Sequence, residues 1–298
     1  MRTQTPQLPP PEARIRVLID TDFACEIDDI YALALAVCSA DRFDIAGINA
    51  AHFAQTTGRV SIDRSYNLLL EFLEVAGWKD RVPVVRGSDP LAYLDEGVPS
   101  KGVDQIIELA RAASPEHPLW IVSLGAFSTP ASALLLAPDI IPNIRIVAHA
   151  RSEMTWPETN DQFNVWGDIR AARALLDSAV PLVWFDTGTS LTCTMETTAA
   201  RLAPTGALGA YLHAYRDRNN YFRNPQKGFF DVADIAWMID RTLCTEEVVP
   251  APALLMNMHF DHKRPNGEIV HVTNICAEPT WELFFDRLAH PRSVATEK

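Results

Sequence analysis

The chain has 298 residues, 48% of them hydrophobic and 21% charged, and a formal net charge of −12. A chain of this length buries roughly three quarters of its unfolded surface, so the composition is that of a folded protein and excludes a disordered one. The acidic balance argues against a general binder of nucleic acid or of an anionic membrane, which it repels at long range. No run approaches the roughly 18 uninterrupted apolar residues of a membrane helix.

Residues 1–13 are polar and carry Pro6, Pro9, Pro10 and Pro11. They read as a flexible leader without the apolar core of a signal peptide. An apolar run at 15–19 predicts a buried strand, followed by an acidic loop and a helix over 30–38. A strand at 43–51, a helix over 66–75 and a strand at 82–85 come next. Further on, a helix over 103–113 precedes a strand at 119–124, and a helix opens near 128–130. Strands at 144–148 and 182–185 flank a helix over 169–179. Alternation of short apolar strands with helical periods predicts an α/β protein, a Rossmann-like open and mostly parallel sheet flanked by helices. Helices are expected over 197–215 and 232–243. Segments 254–260 and 269–275 are expected to pair as a late hairpin. No linker or repeat interrupts residues 14–298, so they are expected to form a single domain. The five cysteines are scattered, with no CxxC pair, which argues against a zinc knuckle or a disulfide framework and for the cytoplasm.

Directly after the first strand, Asp20, Asp22, Glu26, Asp28 and Asp29 crowd a short stretch. In open α/β sheets, ligands sit at the carboxyl ends of strands. Five like charges there repel one another unless a cation compensates them, and oxygen-only ligands suit calcium or magnesium rather than zinc. Asp28 and Asp29 would also favour a helix N-terminus through the dipole. Cys25 lies inside this loop, where the negative charge disfavours a thiolate nucleophile.

The pattern Asp20-Thr21-Asp22 followed after five residues by Asp28-Asp29 resembles the N-terminal motif of the inosine-uridine type nucleoside hydrolases, in the subgroup with the longer spacing. Three later segments are similar to that family as well. Ile121 to Ser128 resembles its strand and glycine turn, Gln162-Phe163-Asn164 its E-F-N segment, and Phe230-Asp231 its late metal motif. The resemblance implies a nucleoside hydrolase fold and calcium-dependent cleavage of a ribonucleoside to free base and ribose. It implies Asp22, Asp29, Asp231 and the Leu124 carbonyl as calcium ligands, with Asp22 also the general base. Asp28, Asn160, Gln162, Asn164 and Phe230 would contact the substrate, and Asp20 would orient its neighbours. Relatives form homodimers or homotetramers, so one of these is expected, with a small nucleoside as the other partner.

Two departures stand out. Gln162 replaces the usual Glu, and Phe230 stands where many members carry a His before the metal Asp. The departing base then needs another acid. His52, after the second strand, is the expected donor, since its pKa can lie near neutrality; stacking on Phe230 and a tryptophan, with solvent as proton source, is the alternative. Trp156 is a candidate for that stacking, whereas Trp166 is expected to pack beneath the sugar-binding segment. Two other readings stand beside the hydrolase. One is a nucleoside- or ribose-binding protein that keeps the metal site but has lost catalysis. The other is a haloacid dehalogenase-type phosphatase, whose motif is poorly matched at Ala24.

Overall fold

A computed structural model describes residues 1–293. Its centre is an eight-stranded sheet in the order β3-β2-β1-β4-β5-β6-β10-β7. The strands are β1 (Ile15–Thr21), β2 (Phe43–Ala50), β3 (Val84–Arg86), β4 (Leu119–Ser123), β5 (Ile144–His149), β6 (Leu182–Phe185), β7 (Thr245–Pro250) and β10 (Glu268–Thr273). All neighbours run parallel except β10 and β7. Two short strands, β8 (Ala253–Leu254) and β9 (Phe260–Asp261), form a separate antiparallel pair.

The central strand β1 is buried along its whole length save Arg16, as a strand covered by helices on both faces must be. Its side chains alternate between two cores. Val17 and Ile19 join the core that holds the helices Asp28–Val37 and Val232–Ile239. Leu18 points to the other face, with Ile121 and Ile146. The chain leaves β1 in one direction through β2 and β3 and in the other through β4, β5 and β6. Strand order therefore reverses beside β1, and the crevice at the carboxyl ends of β1 and β4 is where such a sheet binds ligands.

The expected strands and helices of the first two thirds are present with small shifts at their ends, except that the helix expected over 66–75 begins at Val60. The last third differs. The helix expected over 197–215 is broken into Met195–Arg201 and Ala207–Arg216 by Pro204 and by Gly206, whose φ of 129° is open to glycine alone. The expected hairpin of 254–260 with 269–275 does not form. Instead β10 pairs with β6 and, antiparallel, with β7. β7 is largely exposed and carries Glu246 and Glu247, the charged composition of a protected edge strand, and therefore lacks the apolar run that marks a strand in a sequence.

The leader is not loose here. The Arg2 guanidinium is buried and donates to the carbonyl oxygens of Val180 (2.5 Å) and Leu175 (3.0 Å). Burial lowers its pKa to about 10. Arg42 holds the other end, donating to the carbonyls of Pro9 (2.8 Å) and Ala13 (2.6 Å). Leader carbonyls that would otherwise face water are the acceptors an internal arginine needs. Among the described residues, no helix is long and apolar enough to cross a membrane.

Candidate active site

Three chain segments meet at the carboxyl edge of the sheet. β1 ends at Thr21, and its loop leads into the helix Asp28–Val37, which opens on Asp28 and Asp29. The turn after β4 is held by the Leu124 N–H, which donates to the Asp20 carbonyl at 2.8 Å. A Cβ on Gly125 would lie only 3.0 Å from Asp22, so the approach of this turn to the acidic loop requires glycine. Asp231 directly precedes the helix Val232–Ile239. Two helix N-termini thus present carboxylates at one place, where their dipoles favour negative charge.

Asp28, Asp29 and Asp231 are 4%, 3% and 4% exposed, and each offers an oxygen within 4.8 Å of the others. Asp22 lines the same cleft and is equally buried. Burial first, and the neighbouring carboxylates second, push the Asp29 pKa up to about 7 and raise those of Asp22 and Asp231 well above the usual range. The Thr21 hydroxyl donates to Asp29, too little to compensate so much charge. An all-oxygen set of crowded, buried carboxylates fits a hard divalent cation. The same cleft is lined by Leu124, His149, Arg151, Gln162, Asn164 and Phe230. Cys25 lies there too, its thiol pushed up by burial and by Asp22, which makes it a poor nucleophile.

Asn164 is clamped before any substrate arrives: its amide donates to the carbonyls of Leu124 (2.5 Å) and His149 (3.0 Å). Gln162 accepts from Arg151 Nη2 at 2.6 Å. Asp20 sits beneath, fully buried, accepting from Ser123 Oγ at 3.3 Å; burial lifts its pKa to about 7.

Two expected site residues are elsewhere. His52 is buried behind the cleft and does not line it. Its Nδ1 accepts from the Ala54 N–H (3.2 Å), and its Nε2 lies 2.7 Å from Ser128 Oγ, which donates to Asp168 Oδ2 at 2.6 Å. Burial lowers its pKa, so it is a neutral link in a closed chain rather than an acid for the base. Asn160 is fully buried, donating to the Ala150 carbonyl (3.2 Å) and accepting from the Gln162 N–H (3.0 Å). Its side chain shapes the loop instead of facing a sugar. The tryptophans also differ from expectation. Trp156 packs on His271 with ring centroids 4.4 Å apart, away from the cleft, and Trp166 is 50% exposed.

Three residues were not singled out from the sequence. Lys227 is buried, with Nζ 2.7 Å from Glu26 and 3.2 Å from Asp28; burial opposes its charge, but the two carboxylates outweigh that and raise its pKa. His149 donates from Nδ1 to Asp234 at 2.7 Å, and its Nε2 lies 3.7 Å from Asp231. Burial works against its protonation, yet Asp234 more than offsets that and raises its pKa. Arg151 joins the far wall. His149 ends β5, so the strand-end rule that pointed to His52 applied equally to it; a lone Lys and a lone Arg gave no such signal.

Residues 17–274 match the family model described as inosine-uridine preferring nucleoside hydrolase. The chain belongs to that family. It is therefore a hydrolase acting on N-glycosyl bonds, from a metal-dependent family whose substrates are small nucleosides. Solved structures of similar fold include a plant nucleoside hydrolase, 18% identical with a TM-score of 0.72 over 95% of this chain and 100% of that one. A purine-preferring ribonucleoside hydrolase from Gardnerella vaginalis is 18% identical, with a TM-score of 0.73 over 92% and 98% of the two chains. An uncharacterised protein of Schizosaccharomyces pombe (strain 972) is 28% identical over 220 residues, 65% of this nucleoside hydrolase and 67% of that protein.

Proposed function

We propose that this nucleoside hydrolase cleaves the N-glycosidic bond of a ribonucleoside to base and ribose with one calcium ion, held by Asp22, Asp29, Asp231 and the Leu124 carbonyl. The observation that carries this reading is the convergence of Asp22, Asp28, Asp29 and Asp231, all buried, on one cleft with too few donors for their charge. Bound calcium would acidify a water and grip the ribose diol.

The protein's own groups do the rest. Asp22 takes the proton of the attacking water as general base. Asp28, braced by Lys227, accepts from a ribose hydroxyl. Asn164 spends its amide hydrogens on Leu124 and His149, which leaves Oδ1 to receive another ribose hydroxyl. Held in this way, the sugar develops its oxocarbenium character against fixed carboxylates. Phe230, on the cleft wall, borders the base while its ring carries the Arg151 guanidinium and the Lys227 ammonium, and solvent supplies the proton of the base.

Calorimetric titration of the metal-depleted protein with calcium, paired with a reducing-sugar assay on a nucleoside panel, tests this reading. Binding at one site together with calcium-dependent release of ribose supports it. Calcium binding without hydrolysis would favour the impaired binding protein instead.

The same reading extends to a homodimer or homotetramer of a single domain over residues 14–298 in the cytoplasm. The resemblance supports the assembly, and five free cysteines support the compartment. Light scattering on the purified protein checks the assembly.

A further inference from the structure

Arg151 lines the cleft and Lys227 is buried behind it, and the two cations have different fates. Lys227 is consumed by Glu26 and Asp28. Arg151 makes no ion pair with any carboxylate among the described residues. It is instead fixed by three constraints. Its backbone is left-handed, with φ 48°; its N–H donates to the Phe185 carbonyl at 3.0 Å; and its guanidinium carbon lies 4.0 Å from the centre of the Phe230 ring. One further bond, to Gln162 Oε1 at 2.6 Å, uses one of the five donors a guanidinium carries. The remaining donors belong to a side chain that lines the cleft. A glutamate at position 162 would pair with this arginine and repel an anion. Glutamine holds the guanidinium in place without forming an ion pair with it. A rigid, planar, unpaired guanidinium is a receptor for a phosphate or carboxylate, which it binds through two parallel hydrogen bonds.

We propose that Arg151, positioned by Gln162 and Phe230, makes this end of the cleft an anion subsite, so that the substrate is a riboside bearing a negative group. That group is a phosphate on the sugar or a carboxylate on the base. The inference rests on the hydrolase reading above and leaves its balance unchanged. Water oxygen bonds to C1′, the C1′–N pair leaves with the base, which gains a proton, and the anionic group stays where it was.

The test compares kcat/KM for a ribonucleoside, its 5′-monophosphate and a ribonucleoside with a carboxylate on the base. One of the two anionic substrates should exceed the neutral one, and which of them does so identifies the source of the charge. Arg151→Gln should lower that anionic-to-neutral ratio by about 10- to 100-fold, the loss of a charge-assisted pair. Should this variant fail to fold, Gln162→Glu leaves Arg151 in place, cancels its charge and should lower the same ratio. A ratio below one in the wild type, or one that neither substitution changes, overturns the proposal while the hydrolase reading stands. If no riboside is cleaved, the hydrolase reading fails. The anion subsite is then decided by calorimetry with ribose 5-phosphate, ribose and the carboxylate-bearing ribonucleoside. An anion affinity that exceeds that of ribose and depends on Arg151 supports it, and equal affinities overturn it.

Discussion

Two buried polar clusters lie at the carboxyl edge of the same sheet, and they behave in opposite ways. In one, His52, Ser128 and Asp168 form a closed chain. Asp168 Oδ2 also accepts from the Leu91 N–H at 2.8 Å, and its Oδ1 accepts from Ala171 N–H at 3.0 Å. Every polar atom named there has a partner, which is what a structural network requires. In the other, Asp22, Asp28, Asp29 and Asp231 face one another across a cleft with more negative charge than donors. Burial is common to both, so burial does not mark the site. Uncompensated charge at an open cleft does.

The largest expected effect tests the open cluster. Asp22→Asn removes the proposed base and one charge from the metal site, and should reduce kcat/KM for nucleosides about 10²–10⁴-fold with calcium saturating. Its thermal unfolding without metal should be no earlier than wild type, because a repelling charge has gone. Near wild-type turnover would remove Asp22 from the chemistry.

The closed cluster should respond in stability instead. Asp168→Asn exchanges one accepting oxygen for an NH2 group, so that either the Leu91 N–H and the Ser128 hydroxyl or the Ala171 N–H faces a donor, at a cost of about 1–3 kcal/mol. Urea unfolding should report that loss; an unchanged midpoint would mean that the network is not structural.

Metal removal separates the clusters by pH. Asp29 binds its proton more tightly folded (about 7) than unfolded, so between about pH 4 and pH 7 the native state holds more protons. Stability of the metal-depleted protein should therefore fall as pH rises through that window, and a divalent cation should flatten the fall. A melting temperature that rises with pH in chelator would contradict the crowding of these carboxylates.

The smallest effect concerns His52. Because it is neutral and enclosed, His52→Gln should cost about 1–2 kcal/mol of stability and leave unchanged the ratio of turnover on a natural nucleoside to that on a p-nitrophenyl riboside. A selective loss on the natural substrate would restore His52 as the acid for the leaving base.

Much of the candidate site was legible beforehand for a local reason. The acidic run follows a buried strand directly, and the segments at Leu124, Asn164 and Asp231 carry motifs whose order resembles a family. Apart from Asp20, which lies beneath, these residues line the cleft. Lys227 was not legible, because its partner Asp28 is 199 positions away and a single lysine has no spacing to read. The same applies to Arg151, whose role depends on Gln162 and Phe230 meeting it from two other segments.

His52 and His149 show where local reading stops. Each sits at or just after the end of a parallel strand, and nothing in their neighbourhoods separates them. The chain after β2 folds into the short helix Ala54–Thr57 and delivers an N–H to His52, while Ser128 from the next layer takes its other nitrogen. His149 instead ends β5 beside Asp231 and Asp234, inside the cleft. By itself the sequence determined the alternation of strands and helices and the place where negative charge gathers, since both follow from short-range periodicity and from order along the chain. Only the tertiary structure decided which buried polar groups find partners and which remain charged, because donors and acceptors far apart in the chain meet only once the sheet has packed.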